Sequence, residues 1–357
     1  MGLYGRNCIH HDLSLSLENL MQPLKQRPQT ALILGANGRF GQAATAAFAG
    51  AGWRVLAQVR RAPDAPLAAG AQALALPLSD TAALARAAAG AAVVVYAVNP
   101  PYTRWNQELL PLARQGLGLA ERLGASFMLP GNVYHFGAGM PAVLTEATPP
   151  RPSTEKGQLR LALEEEVAAR CARGLSAVVI RAGDFFGVGS GSWLDLIIAK
   201  DIARGKLVYP GPMDLLHAWA YLPDLARVFV EVARQLQALA APGSLCHLHF
   251  AGHSLTGAEL LDALVQAAPQ VGLQPQHGFK RTRMPWWPLQ LAAPFWPMGR
   301  ELLRMRYLWQ VPHVLDGQAM ARALGALPGT PIQQALTESL RQLGHGETRP
   351  QSLSLSA

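Results

Sequence analysis

The stretch from residue 30 to residue 61, TALILGANGRFGQAATAAFAGAGWRVLAQVRR, limits the fold more than any other. An uncharged apolar run meets glycines at 35, 38 and 41. An alanine-rich helical pattern follows and closes on Gly50 and Gly52, and a second apolar run ends at Arg60 and Arg61. Strand, tight loop, helix and parallel strand are the reading of that order. Glycines at such a loop let backbone amides approach a ligand, and the helix start adds unsatisfied N–H groups and the positive end of its dipole. Gly35, Gly38 and Gly41 are therefore expected to cradle a diphosphate.

The same rhythm repeats downstream. AQALALPL reads as a third strand, Asp80 as the cap of a helix at 81–89, and AAVVVYAVNP as a fourth strand. A helix over roughly 106–123, a fifth strand SFMLPGN, a helix in RPSTEKGQLRLALEEEV and a sixth strand SAVVIRAGDFFG follow. Uncharged strands alternating with helices imply an α/β fold: a doubly wound parallel sheet of the Rossmann kind, followed by a smaller C-terminal part. The expected units are a loose arm over 1–28, a dinucleotide-binding domain over 29–187 and a substrate-binding or lid region over 188–345. A strand near 244–250 returns to the sheet, and 346–357 form a disordered tail.

From residue 188 the rhythm loosens. YPGPMDLLHAWAYLPDLARVFVEVARQL reads as a loop feeding a helix capped at Asp224, and Ser254 or Thr256 caps the helix after it. Residues 284–312 pack prolines and four tryptophans into a short segment, which suits a lid or an interface rather than one long helix.

A chain of 357 residues with half of them apolar can bury a sizeable core. Its net charge of +8 comes with no basic run longer than a pair, which argues against nucleic acid and for small phosphate-bearing molecules. Cys8, Cys171 and Cys246 show no CxxC spacing, so neither disulfides nor zinc are expected. His135, His217 and His313 are dispersed, so no metal is assigned. No apolar run reaches about 18 residues and no secretory leader is legible, which suggests a cytoplasmic protein; Met1 and Met21 both suit a translation start. The expected partner is a small-molecule substrate, with a homodimer left open. A membrane surface under the tryptophan-rich segment is the least favoured contact.

The end of the second strand selects the dinucleotide. A carboxylate there would accept from the ribose 2′-OH of NAD, but Val59 stands at the spot and Arg60 and Arg61 follow. Guanidinium forks match a 2′-phosphate, and Arg39 in the loop is expected to close on it from the other side, so NADP is favoured over NAD. Solvated loop arginines are the plainer alternative. Asn37 and Phe40 in the loop, Leu78 after the third strand and Asn99 after the fourth complete the expected cofactor set.

With GANGRFG, VVVYAVNPP, LPGNVYHFG, KGQLRLALEE, VVIRAGDFFG and YLPDLARV in order, the sequence resembles the short-chain dehydrogenase/reductase superfamily. The likeness is to its extended or atypical branch, of NAD-dependent epimerase/dehydratase type. The resemblance spans residues 30 to about 235. It implies a cofactor at the carboxyl ends of the strands, hydride transfer, and nucleotide sugars, ketones or aldehydes as substrates. Chemistry in that family rests on a serine and a Tyr-x-x-x-Lys pair. Aligned on the motifs, Asn132 stands at the serine, Lys156 at the tyrosine and Arg160 at the lysine.

Asn132 and Arg160 keep the capacity to donate hydrogen bonds, to a carbonyl and to ribose hydroxyls respectively. Lys156, four residues from Arg160, reads either as a proton donor whose pKa is lowered by a like charge or as a solvated helix residue. Tyr134, two residues beyond Asn132 on the strand, would face the same way and replace the phenol, or else is a core tyrosine. Tyr102, Asp184, Phe185 and His217 are the expected substrate residues. Substitution of all three slots leaves a second reading open, a non-catalytic NADP-binding sensor.

Overall fold

The computed structural model describes residues 28–61, 67–239, 241–325, 327 and 329–345. The arm expected before residue 28, the tail from 346, Cys8 and Met21 lie outside the described residues. In chain order come β1 (Thr30–Leu34), α1 (Arg39–Gly50), β2 (Arg54–Val59), β3 (Ala71–Ala75), α2 (Thr81–Ala87) and β4 (Ala91–Tyr96). Next are α3 (Trp105–Leu123), β5 (Ser126–Gly131), β6 (Val143–Leu144), α4 (Glu155–Cys171), β7 (Ala177–Arg181) and β8 (Asp184–Phe186). The C-terminal part holds β9 (Lys206–Tyr209), β10 (Leu216–Tyr221), α5 (Leu222–Arg234), β11 (Leu245–His249), β12 (His253–Thr256) and α6 (Gly257–Ala267). After these come β13 (Lys280–Arg283), α7 (Trp287–Ala292), α8 (Pro297–Arg304), β14 (Val314–Leu315), α9 (Gln318–Leu324) and α10 (Ile332–Gln342).

Among the described residues seven strands form one sheet in the order β11-β7-β5-β4-β1-β2-β3, and every pairing in it is parallel. Strand order reverses between β1 and β4, the crevice where doubly wound sheets bind ligands at the carboxyl ends. One face of the sheet packs under α1 and α5 around Phe40, Phe48 and Phe229. The other packs under α2, α3 and α4 around Trp105, Phe127 and Leu163. Burial on both faces explains why β1 is uncharged and β7 is uncharged until Arg181.

Three details depart from the sequence reading. The run 176–187 is two strands, because the chain leaves the main sheet at Ala182-Gly183 and β8 pairs with β10 instead. A Cβ on Gly183 would stand 2.1 Å from the Ala218 carbonyl oxygen, so the crossing needs glycine. The stretch from Tyr209 towards the helix, expected as loop, holds the end of β9 and all of β10, whose partners β13 and β12 come from later in the chain. Asp224 is not a cap: Tyr221 precedes α5, Asp224 lies in its first turn, and its carboxylate accepts from the Thr330 N–H and hydroxyl, both at 2.7 Å. Thr256 does cap its helix, in a reciprocal box with Glu259.

Candidate active site

The glycine loop joins β1 to α1 at the reversal point. Gly35 has φ +77° and passes within 3.0 Å of the Val98 backbone, measured from a hypothetical Cβ; at Gly41 the same Cβ would stand 2.3 Å from the Gly35 carbonyl oxygen. Both glycines fold the loop. Gly38 differs, since its Cβ would meet nothing nearer than the Gly35 oxygen at 3.3 Å and would point into an exposed face. No side chain caps α1, and its first backbone bond runs from Gln42 N–H to Gly38 O, so the amides of Arg39, Phe40 and Gly41 open towards that face. An uncapped helix start beside an open glycine fits a diphosphate.

Gln58, which the sequence reading passed over, fixes this loop. Buried at the end of β2, its Oε1 accepts from Gly35 N–H at 3.0 Å and its Nε2 donates to Leu76 O at 2.7 Å, tying β1, β2 and β3 together. The only sequence signal was an amide within the apolar run from Val55 to Val59. Val59 is buried, Arg60 and Arg61 are exposed at the strand end, and Asn37 and Asn99 are exposed near the loop. Leu78 is buried in the core. Phe40 offers its amide, while its ring lies 4.8 Å from that of Phe229, edge to face.

Arg39 corrects the expectation made for it. Instead of turning towards β2 and Arg60, its guanidinium donates to Phe185 O at 3.3 Å on β8, across the opposite side of β1, where it feels Asp195, Asp184 and Tyr134. Phe185 is half-buried, and its ring lies 6.4 Å from that of Phe40, packed against the core under α1.

A second cluster of candidate residues gathers around Tyr134. β5 ends at Gly131, and residues 134–136 form a single turn of 3-10 helix, so Tyr134 does not share a strand face with Asn132. Instead the Asn132 Oδ1 accepts from Tyr134 N–H at 3.1 Å, leaving its Nδ2 without an acceptor among the described residues. Gly157 lets α4 approach this turn, for a Cβ there would stand 2.6 Å from Tyr134 O. Burial pushes the Tyr134 phenol up to about 12, reinforced by Asp184 and opposed by Tyr102, Arg160 and Arg39. It therefore remains a proton donor throughout the neutral range.

Around it stand Tyr102, ring centroid 6.4 Å away, and Arg160, whose guanidinium lies 4.7 Å over the Trp105 ring. On the far side Asp184 Oδ2 meets His217 Nε2 at 2.9 Å, and the His217 ring stacks on Trp309 at 4.3 Å. Arg39, Tyr102, Tyr134, Arg160, Asp184 and His217 thus converge from six places in the sequence.

Lys156 adjoins that convergence through Tyr102 and is not solvated. Only 3% of it is exposed; its Nζ pairs with Glu301 Oε2 at 3.0 Å, donates to Tyr102 O at 2.5 Å and lies 4.2 Å from the Tyr102 ring centroid. Burial lowers its pKa, and the Glu301 carboxylate offsets part of that fall. The polar group missing from the sequence reading of Lys156 and Arg160 is Glu301 on α8, which separates the roles of the two cations. Glu301→Gln, which strands a buried charge, is expected to cost about 3 kcal/mol in urea unfolding, and Lys156→Met, which removes the charge, distinctly less.

Behind the site lies a buried ionic network. Arg181 Nη2 donates to Glu164 Oε2 at 2.6 Å, His247 Nε2 is 3.3 Å from the same oxygen, and His135 Nδ1 is 4.0 Å from the other. Burial pushes the Glu164 carboxyl up, but the neighbouring His247 and the hydrogen bonds from Arg181 outweigh it and hold it at about 2. Burial pushes His135 down to about 4. Unfolded His135 takes its proton near 6.5 while the folded residue resists to about 4, so stability should fall as pH drops across that window. Below about 4.5 the loss continues as unfolded Glu164 protonates first. Urea titrations at pH 7 and pH 5 should show the first loss, reduced in His135→Asn.

Among the described residues no cluster of three or more His, Cys, Asp or Glu could hold a metal ion, and no helix is long and apolar enough to cross a membrane. Residues 31–245 match the sequence model described as the NAD dependent epimerase/dehydratase family. No curated protein matches the chain significantly. Among solved structures the chain is similar to MoeE5 in complex with UDP-glucose and NAD, at 19% identity and a TM-score of 0.66, covering 88% of this chain and 98% of that one. It is also similar to L-threonine dehydrogenase from Clostridium difficile, at 15% identity and a TM-score of 0.67, covering 90% and 100%. UDP-glucose 4-epimerase from Thermotoga maritima, solved with UDP-glucose, aligns at 14% identity and a TM-score of 0.66, covering 88% and 99%. At such identities the likeness is one of fold.

Proposed function

Because the chain belongs to the NAD dependent epimerase/dehydratase family, we propose that it is an NADP(H)-dependent enzyme acting on a carbonyl or carbinol carbon of a nucleotide-sugar-like small molecule. The observation that carries this reading is the convergence of Tyr134, Arg160, Arg39 and the Asp184–His217 pair beside the glycine loop. The amides of residues 39–41 and the open face of Gly38 hold the diphosphate, and Arg60 and Arg61 take the adenosine phosphate. A nicotinamide dinucleotide bound there supplies the hydride donor or acceptor. Asn132 Nδ2 donates to the substrate oxygen, and Tyr134 delivers the proton to it. Arg160, in the slot where the family has lysine, orients ribose hydroxyls and opposes the rise in the Tyr134 pKa. Asp184 and His217 hold a substrate hydroxyl on the opposite wall. UDP-glucose in MoeE5 and in the Thermotoga epimerase is what suggests a sugar nucleotide.

The cofactor preference is tested by titration of NADPH and NADH. Arg60→Ala is expected to weaken NADPH by about tenfold and leave NADH unchanged. Equal affinities in the parent protein would remove the preference.

One observation favours the second reading, a non-catalytic NADP sensor. Lys156 is committed to Glu301, and the Asn132 carbonyl to the Tyr134 amide, so two of the three family slots carry structural duties. Absence of cofactor oxidation or reduction across a panel of carbonyls and sugar nucleotides, with tight NADPH binding, would select the sensor.

A further inference from the structure

The segment that supplies Glu301 has a second face that the site does not use. Of the seven large hydrophobic residues exposed among the described residues, four lie within ten positions: Trp287 (64% exposed), Leu291 (69%), Phe295 (91%) and Trp296 (46%). Trp286, Leu289 and Ala293 point inward from the same stretch, with Trp286 Nε1 donating to Pro210 O at 2.8 Å. An apolar helix face is ordinarily buried, and the outer side of α7 and the turn after it has no cover among the described residues.

The charge around this face says what covers it. Residues 280–306 contain six Lys or Arg and a single acid, Glu301, which faces inward to Lys156. Lys280, Arg283 and Arg300 are exposed. Arg281 is paired with Asp262 at 2.6 Å and Arg304 with Glu301 at 3.1 Å and Glu155 at 3.2 Å. A second copy meeting this face about a two-fold axis would bring like charges together. Exposed tryptophan, phenylalanine and leucine within a basic segment of the chain instead match the boundary of an anionic bilayer, where aromatic rings sit among headgroups and cations add attraction.

We propose that Trp287, Leu291, Phe295 and Trp296 insert into the surface of an anionic phospholipid membrane, with Lys280, Arg283 and Arg300 on its headgroups. The surface lies on the strap that ends at the site, and its assignment is independent of what the site does.

Sedimentation of the full chain with vesicles tests this. At low salt the protein should pellet with phosphatidylcholine vesicles containing roughly one-third phosphatidylglycerol, and far less with phosphatidylcholine alone or in high salt. The double variant Trp287→Ser, Phe295→Ser should partition about tenfold more weakly or worse, with unchanged circular dichroism and NADPH affinity. Failure of the parent protein to pellet with the anionic vesicles would overturn the proposal, as would pelleting that the variant does not reduce. A concentration-dependent dimer abolished by the same variant would assign the face to a second copy and overturn it equally.

Discussion

Tyr134→Phe is expected to lower turnover by about a thousandfold while leaving NADPH affinity within a factor of two. The substitution deletes one hydroxyl and keeps the ring, so the contacts with Tyr102 and Trp105 at 6.4 and 6.2 Å persist. Its neighbours give the expectation its direction. With the phenol pushed up to about 12, Tyr134 holds its proton at every pH an enzyme meets, which suits donation to an oxygen that gains charge as its carbon takes hydride. The reductive rate should therefore show no loss attributable to this group between pH 7 and pH 10, whereas an unshifted phenol at 10 would be half ionised at the upper limit. Steady-state rates across that range, with cofactor affinity measured separately, check both statements. Full activity in the phenylalanine variant would move proton delivery elsewhere in the site.

Two glycines of one loop should fail in opposite ways. Gly38→Ala adds a Cβ on the open face, 3.3 Å from the Gly35 oxygen, so the fold needs only a small adjustment while the approach of a diphosphate is blocked. Affinity for either dinucleotide should fall by about a hundredfold, with little change in Tm. Gly41→Ala drives its Cβ to 2.3 Å from the Gly35 oxygen and 2.8 Å from the Ala36 Cα, a clash with backbone that cannot swing aside. That variant should lose about 3 kcal/mol or more of stability, and its binding loss should follow its unfolding. Calorimetric scans beside binding isotherms separate the two. A Gly38→Ala protein that binds normally would place the diphosphate elsewhere.

What could be read in the sequence was what short-range pattern determines. β1, the loop and α1 are legible because an apolar run, three glycines and an alanine-rich helix are neighbours, and parallel burial leaves β4 and β7 nearly free of charge. Beyond residue 188 β9, β12, β13 and β14 have four residues or fewer, and β9, β13 and β14 pair far along the chain. β9 pairs with β13, some seventy residues on, so no local alternation announces it. The candidate site divides in the same way. Gly35, Gly38 and Gly41 follow from spacing, but the partner of Lys156 is 145 positions away and the partner of Asp184 is 33 away. Arg39 was misplaced for a related reason. Its neighbours in sequence lie at the open start of α1, but its long side chain reaches across to β8, where the Phe185 carbonyl lies on a strand the sequence had merged with β7. Tyr134 was placed on a strand because nothing in GNVYHF marks where β5 stops and a 3-10 turn begins.

The claim beneath both functional readings is that backbone amides at the start of α1 grip a dinucleotide diphosphate while Arg60 and Arg61 select the phosphorylated form. Isothermal titration of NADPH and of NADH into the unmodified protein tests it most directly. The account predicts saturable one-to-one binding of both, with NADPH tighter; no binding of either nucleotide at millimolar concentration would contradict it.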